Sequence, residues 1–249
     1  MHLTASGLVL RVTTYNDTDA LITVLTQNYG KLTLKARGLR RKNSPLAATC
    51  QLLAYCEFTL FEYRGMYTIN EAHIIELFQG LRSDIEKLSL GTYFLQVAEV
   101  ISQEDTPNPQ LLSLVLNCLY VLSASDLPAN QIKAAFELRC ACLAGYAPDL
   151  SGCGNCGSVS ADRFDISEGR LECESCRDPS SDGIRMPVSA GVLDAMRYIC
   201  FCDIKKIFAF RAGEQTLAGL EQITESYLVT QLERGFSTLD FYKTLLLHS

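Results

Sequence analysis

The sequence predicts an α+β protein in which β-strands come first and helices follow. Segments rich in β-branched and aliphatic residues, separated by short polar turns, occupy residues 1–72. Beyond them, apolar residues recur at helical spacing behind capping residues. A cysteine-rich stretch, residues 153–176, interrupts the helical part. With 249 residues, 48% of them apolar and 20% charged, the chain can bury a substantial core.

Five strand-like segments precede the helical part. They are residues 7–14, 20–27, 31–37, 53–63 and 66–72. The turns between them are short, for example "YNDTD" after the first strand and "RG" before the fifth. Strands at this spacing predict a small barrel or a curled sheet.

Capping residues mark the helices. Ser83 and Glu86 have the spacing of a capping box before one apolar run. Asn108 followed by Pro109 is a favourable start for the next helix. Gly145 is a suitable residue to end the third helix, and Ser189 can cap a later one.

The stretch "CGNCGSVSADRFDISEGRLECESC" contains two Cys-x-x-Cys pairs separated by sixteen residues. Zn²⁺ prefers four soft or borderline ligands in a tetrahedron, and two such pairs joined by a hairpin supply four thiolates. The predicted ligands are Cys153, Cys156, Cys173 and Cys176. Gly154 and Gly157 permit the positive φ that the first turn needs. Four thiolates leave no open position, so one structural zinc ion is expected. Buried core cysteines, a disulfide or a redox Cys-x-x-Cys are the alternatives.

The seven other cysteines lie in or beside apolar runs, where a free cysteine behaves as a small hydrophobic residue. The N-terminus lacks a basic segment followed by a long apolar one, and no apolar run reaches the roughly 18 to 20 residues that span a bilayer. A cytoplasmic protein with reduced thiols is therefore expected.

The stretch "KLTLKARGLRRKN" concentrates positive charge. Lysine and arginine alternate with apolar residues up to Gly38, and three more cations follow in a loop. The six cations are Lys31, Lys35, Arg37, Arg40, Arg41 and Lys42. Residues 1–56 carry seven cations and two acids, a balance of +5 within a chain of net charge −6. Six unpaired like charges on one face predict an anionic partner, and phosphate backbones fit.

Aromatic residues alternate in the neighbouring strand, "EFTLFEY". The period of two puts Phe58 with Leu60 on one face, and Phe61 with Tyr63 on the other. One pair is expected to face the core. The other is expected to be exposed, where its rings can stack on bases.

Sequence patterns of common enzymes are missing. The chain has no Gly-x-x-x-x-Gly-Lys-Ser/Thr, no Gly-x-Ser-x-Gly, no His-Glu-x-x-His and no dinucleotide fingerprint. The zinc-deaminase combination of His-x-Glu with Pro-Cys-x-x-Cys is also missing. We therefore expect no catalytic residue and no enzymatic activity.

Two segments carry a family resemblance: "GLVLRVTTYNDTDALITVLTQNYGKLTLKARGLRRKNSPL" and "LAGYAPDLSGCGNCG…GRLECESC". Together they resemble the RecO family of bacterial DNA repair proteins, and the likeness extends over nearly the whole chain. It implies an OB-fold over residues 1–80, a helical domain over 81–150 and 180–249, and a zinc ribbon inserted at 151–179.

The same resemblance implies an activity. Family members bind single- and double-stranded DNA, anneal complementary strands and, with RecR, help load RecA onto DNA coated by single-strand-binding protein (SSB). It also implies a place at the nucleoid during repair. In the segment "NQIKAAFELRC", Lys133 and Arg139 are candidates for receiving the acidic tail of SSB. A nucleic-acid-processing enzyme subunit built on an OB-fold and a zinc ribbon is the alternative function, and a protein-only scaffold is a third.

Overall fold

The computed structural model describes residues 2–177 and 183–247. The chain divides into two compact units. Unit 1 comprises Met1–Ser125 with Phe236–Ser249, and unit 2 comprises Asp126–Gly235. The boundary expected at residues 179 and 180 lies outside the described residues, and the domain limits inferred from the sequence stay a prediction.

Unit 1 is built on five strands that form a closed barrel. They are β1 (His2–Thr14), β2 (Ala20–Thr26), β3 (Gly30–Ala36), β4 (Tyr55–Tyr63) and β5 (Met66–Glu76). Around the barrel the order is β1-β2-β3-β5-β4, and β4 returns to pair with β1. All pairs are antiparallel except β3 with β5, which is parallel. This OB-like arrangement confirms the predicted five-stranded barrel.

The alternating sequence of β3 explains how the barrel fills its interior. Leu32, Leu34 and Ala36 are buried and join the core of the barrel. Lys31 and Lys35 are half-buried on the opposite face, as the period of two requires. Polar and charged side chains therefore line the outer wall of this strand.

Four helices complete unit 1: α1 (Gln79–Arg82), α2 (Ile85–Ile101), α3 (Pro109–Ala124) and α7 (Ser237–Leu246). The capping box expected from Ser83 and Glu86 is wrong. Asp84 is the N-cap of α2, and its carboxylate accepts hydrogen bonds from the backbone N–H groups of Glu86 and Lys87. An aspartate one position later satisfies the same unpaired donors. The predicted cap at Asn108 is confirmed, since its side chain accepts from the N–H of Leu111.

Unit 2 combines three helices with a small sheet. The helices are α4 (Ala129–Leu143), α5 (Ala190–Phe201) and α6 (Glu214–Gln231), and the strands are β6 (Asp149–Cys153), β7 (Ala161–Asp165), β8 (Arg170–Cys173) and β9 (Arg185–Pro187). The sheet order is β6-β8-β7-β9. The two Cys-x-x-Cys pairs are joined by a hairpin, as predicted; it is antiparallel, formed by β7 and β8, and turns at Gly169 with φ of 64°. Ser189 caps α5, also as predicted.

The helices of the described residues are short or carry charge. None of them is long and apolar enough to cross a membrane.

Candidate metal centre and nucleic-acid interface

Four thiols meet where β6 and β8 end. Cys153 is the last residue of β6 and Cys173 is the last of β8, while Cys156 and Cys176 lie in the turns that follow. The four Sγ atoms lie within 4.8 Å of one another, and those of Cys156 and Cys173 are 3.6 Å apart. A Zn–S distance of about 2.3 Å puts the sulfurs of a regular tetrahedron about 3.8 Å apart. The four cysteines can therefore hold one tetrahedral metal ion.

Backbone N–H groups prepare Cys153 to bind a cation. Hydrogen bonds from the backbone of Asn155 and of Cys173 lower the pKa of this thiol to about 6. The thiolate is the form that binds a metal ion. Gly157 adopts φ of 74°, and its N–H donates to the carbonyl of Cys153 at 2.7 Å. Gly154 does not adopt a positive φ; a Cβ atom there would lie 2.6 Å from Cδ of Arg170.

Two of the alternatives for the cysteine cluster, a disulfide and a set of core cysteines, do not fit its geometry. All eleven cysteines are free thiols. The separation of 3.6 Å between Cys156 and Cys173 far exceeds a disulfide bond of about 2.05 Å. Cys156 is exposed, so the cluster is not a set of core cysteines. With four protein ligands the coordination shell would be closed, as in structural sites.

Three of the six predicted DNA-binding cations are held by neighbours within unit 1. Lys31 donates from Nζ to the backbone carbonyl of Glu99 at 3.0 Å. Lys35 forms an ion pair with Asp19 at 3.5 Å, and Arg40 donates to the carbonyl of Asn16 at 2.8 Å. The expectation that all six cations are unpaired is therefore wrong for Lys35. Its partner Asp19 lies in an earlier turn of the chain, outside the stretch "KLTLKARGLRRKN".

The other three cations, which we call the loop cations, are Arg37, Arg41 and Lys42. All three are exposed, and none has an ion-pair partner among residues 2–177 and 183–247. Gly38 lies two residues beyond the end of β3 and adopts φ of 67° in the turn that follows, as its place in the sequence predicts. The loop cations are thus free to contact an anion.

The turn between β1 and β2 is tied to the end of β3. Oδ1 of Asn16 accepts from the N–H of Asp19 at 2.7 Å, and Oδ1 of Asp19 accepts from the N–H of Gly38 at 2.9 Å. That bond from Gly38, helped by Asn16, Thr18 and Lys35, lowers the pKa of Asp19 to about 2. The Nζ atom of Lys35 lies 4.8 Å from the ring centre of Tyr15. The ring is thereby held against the outer face of β3.

The exposed aromatic residues lie on the same outer wall. Phe58 and Leu60 are buried, whereas Phe61 and Tyr63 are 38% and 59% exposed, so the predicted division into an inner and an outer pair is confirmed. Thr68 of β5 pairs with Lys35 on one side and with Phe61 on the other. Residues paired directly across strands point to the same face. Lys35, Thr68 and Phe61 therefore form one row across the wall.

Two cations flank the aromatic rings of this wall. Tyr15 contacts Lys35, and the guanidinium carbon of Arg64 lies 5.2 Å from the ring centre of Tyr63. Tyr15 is itself 53% exposed. We call Tyr15, Phe61 and Tyr63 the aromatic row. Two of these three exposed rings thus have a cation beside them.

Lys133 does not lie on the surface, contrary to its expected role as a receptor for an acidic tail. Its side chain is fully buried in unit 2, where Nζ contacts Glu137 at 3.0 Å, Glu221 at 3.5 Å and Glu225 at 2.7 Å. The guanidinium of Arg139 donates to the backbone carbonyls of Cys200 and Cys202. The prediction that Lys133 and Arg139 receive an acidic tail at the surface is wrong, because the charged groups of both residues make contacts within unit 2.

The buried cluster around Lys133 holds more negative than positive charge. Burial disfavours the charge on Lys133, but the carboxylates of Glu137 and Glu225 outweigh it and raise the pKa of the ammonium. Burial raises the pKa of Glu137 to about 6, against the opposing effect of Lys133. Oε2 of Glu137 also accepts from Thr224 at 2.9 Å. The cluster joins α4 to α6. The residues that it brings together from these two helices are far apart in the sequence, so only the tertiary structure identifies it.

Comparisons with known proteins cover both halves of the chain. The family described as "Recombination protein O N terminal" matches residues 1–78, and "Recombination protein O C terminal" matches residues 82–240. A protein named DNA repair protein RecO from Acetivibrio thermocellus is 35% identical over 246 residues, covering 98% of this chain and 97% of the relative. One of the same name from Alkaliphilus metalliredigens is 30% identical, covering 98% and 100%.

An OB-like barrel followed by helices, with a four-thiol centre that can hold a metal ion, defines the class of protein. The two family matches and the near-complete coverage of the relatives agree with that class. The chain belongs to the RecO family of DNA repair proteins.

The cluster around Lys133 predicts how the stability of unit 2 depends on pH. Folding raises the pKa of Glu137 from its ordinary 4.5 to about 6. The folded chain then binds this proton more tightly than the unfolded chain, so the stabilisation is fully present below pH 4.5 and is lost as pH rises through 6. The expected loss is about 2 kcal/mol.

Denaturant unfolding at several pH values between 4 and 7 measures this loss. The variant Glu137→Gln has no proton to release and should show a flatter dependence than the parent chain. Glu168→Gln, an exposed control in the same unit, should keep the parent slope. Parallel curves for the parent and Glu137→Gln would contradict the assignment.

Proposed function

We propose that this protein binds single- and double-stranded DNA on the outer wall of its barrel and anneals complementary strands. Together with RecR it then helps load RecA onto DNA coated by SSB. The single observation that carries the DNA-binding part is that exposed aromatic rings lie beside cations on one wall of unit 1. Family membership supports the remainder.

The cations serve the phosphate backbone. The loop cations are exposed and have long, flexible side chains, so they can contact phosphates without reading the base sequence. Lys31, Lys35 and Arg40 add positive potential from more fixed positions. Binding by this surface is sequence-tolerant, and it applies to single and double strands alike.

The aromatic row serves unpaired bases. OB-folds bind oligonucleotides on the face of their second and third strands and with the loops that join strands 1 to 2 and 4 to 5, and the row has members at both of these loops. Tyr15 belongs to the loop between β1 and β2, while Tyr63 adjoins the β4–β5 turn. Each stacked base contributes about 1–3 kcal/mol. Only single strands offer free base faces, so the rings favour single-stranded DNA.

Annealing follows from charge neutralisation. Two complementary strands repel each other through their phosphates, and cations on one surface lower that repulsion while leaving base edges free to pair. No covalent bond changes in this process. We therefore propose a binding protein rather than an enzyme, acting in the bacterial cytoplasm and at the nucleoid during repair.

The proposed protein partners are RecR and SSB, and both rest on family membership. The SSB tail site is not assigned to Lys133 and Arg139, because their charged groups make internal contacts.

We propose zinc as the metal held by the four-thiol cluster. The ligands would be Cys153, Cys156, Cys173 and Cys176, and the ion would supply cross-links between the turns after β6 and β8. The strands of this small sheet are three to five residues long. Strands this short bury little apolar surface, so a bound metal ion would stabilise the sheet.

Reversing the loop cations tests the DNA interface. The triple variant Arg37→Glu/Arg41→Glu/Lys42→Glu should weaken single-stranded DNA binding by about tenfold or more and slow annealing. Because each phosphate contact contributes about −0.7 to the log–log salt slope, losing three contacts should flatten that slope by about 2. Fluorescence anisotropy at several salt concentrations measures both quantities.

The matched control carries the same charge change on unit 2. Lys205, Lys206 and Arg211 are exposed there, and their replacement by glutamate should leave the salt slope near that of the parent chain. Equal effects of the two triple variants would mean that overall charge, rather than the barrel wall, governs binding.

Metal analysis tests the zinc centre. Purified protein should hold about one zinc ion per chain, and Cys153→Ser/Cys156→Ser should lose it and unfold unit 2 at a lower temperature. DNA binding by the barrel should persist in this variant. The control Cys202→Ser should keep its zinc. A parent chain purified under reductant without zinc would contradict the proposal.

A further inference from the structure

Two cysteines outside the metal centre face each other in unit 2. Cys142 lies in the last turn of α4 and Cys200 in the last turn of α5, and their Sγ atoms are 3.7 Å apart. They are 58 positions apart in the sequence, so no spacing pattern joins them. Both are half-buried, unlike the fully buried Cys140 beside them. A small oxidant can therefore reach the pair more easily than it reaches a core thiol.

A cation lies beside this pair. Arg139 precedes Cys142 by one helical turn on α4, and its guanidinium donates to the backbone carbonyls of Cys200 and Cys202. The Nε atom of Arg139 is buried and has no acceptor among the described residues. A positive group fixed next to a thiol favours the thiolate, which is the reactive form.

We propose that Cys142 and Cys200 form a reversible, peroxide-sensitive disulfide that staples α4 to α5. The Cys142 thiolate attacks the O–O bond of hydrogen peroxide, giving the sulfenic acid and hydroxide. The Cys200 thiol then attacks the sulfenic sulfur; the S–S bond forms, the S–O bond breaks and water leaves. One peroxide is reduced for each pair of thiols oxidised.

The roles of the two thiols follow from their surroundings. The contact with Cys200 and the charge of Arg139 lower the pKa of Cys142 despite its burial. The pKa of Cys200 is raised, first by the contact with Cys142 and then by burial. Arg139 lies one helical turn before Cys142 on α4, so we assign Cys142 as the attacking thiol and Cys200 as the resolving one.

The disulfide would link the two ends of the segment between Cys142 and Cys200. Helix α4 leads into the four-thiol sheet and α5 leads out of it, so the disulfide would tie together the two helices between which the sheet is inserted. Closing a loop this long restricts the unfolded chain strongly. Oxidation should thus raise the resistance of unit 2 to unfolding without any change in the barrel.

Peptide mapping of the zinc-loaded full chain tests the proposal. The protein is exposed to hydrogen peroxide in steps, free thiols are blocked with iodoacetamide, and the unreduced digest is analysed by mass spectrometry. A peptide joining Cys142 to Cys200 should appear about tenfold faster than any adduct at Cys50 or Cys118, which are buried. Dithiothreitol should reverse it, and the Cys202→Ser control should form it at the parent rate.

Single-cysteine variants fix the order of the steps. In Cys200→Ser a sulfenic acid should accumulate at Cys142 and be trapped by dimedone, whereas Cys142→Ser should give no adduct at Cys200. The proposal is overturned if Cys142 and Cys200 remain thiols while core cysteines oxidise, if Cys142 pairs with Cys202 instead, or if Cys200 is the residue that dimedone traps.

Discussion

Two backbone pairs, Leu34 with Tyr67 and Lys35 with Thr68, close the barrel, and the candidate nucleic-acid interface depends on this closure. Without it, β3 and β5 would be open edges, and the cations of β3 would be separated from the rings of β4. With it, Lys35, Thr68 and Phe61 stand in one outward row. The pairing of β3 with β5 is short and parallel, whereas the other strand pairs of the barrel are longer and antiparallel. Closure of the barrel therefore brings the cations of β3 and the rings of β4 together on the outer wall, in addition to enclosing the core.

Unit 2 depends on compensation of buried charge and on a few specific contacts that hold its small sheet. Lys133 is fully buried among three glutamates, an arrangement that is costly to dehydrate and damaging to break. The small sheet is anchored to the helices of this unit by a few specific contacts. Arg197 donates to the carbonyl of Leu150 at 2.7 Å, and the ring of Tyr227 meets that of Phe164 edge-on at 5.2 Å. A metal ion held by the four thiols would fix the other end of the sheet.

The sequence is informative wherever a local pattern decides the structure. Alternation predicts the strands and the separation of Phe58 and Leu60 from Phe61 and Tyr63, although not which pair is buried, and the double Cys-x-x-Cys predicts the thiol cluster. Non-local contacts were not predictable. The ion pair between Lys35 and Asp19 joins β3 to the turn between β1 and β2, and the cluster around Lys133 joins α4 to α6. The facing pair Cys142 and Cys200 likewise arises only when two helices pack together. The placement of Lys133 on a surface for the SSB tail is wrong because α4 is covered on many sides and carries this charge inward.

We propose that DNA lies along the outer wall of the barrel, with its bases on the aromatic row. Photo-crosslinking of the full chain to single-stranded DNA that contains 4-thiothymine, followed by peptide mapping, tests it most directly. The account predicts adducts on the peptides that carry Tyr15, Phe61 and Tyr63, and their loss when double-stranded DNA replaces the single strand. Adducts confined to residues of unit 2, in a complex that binds with full affinity, would contradict it.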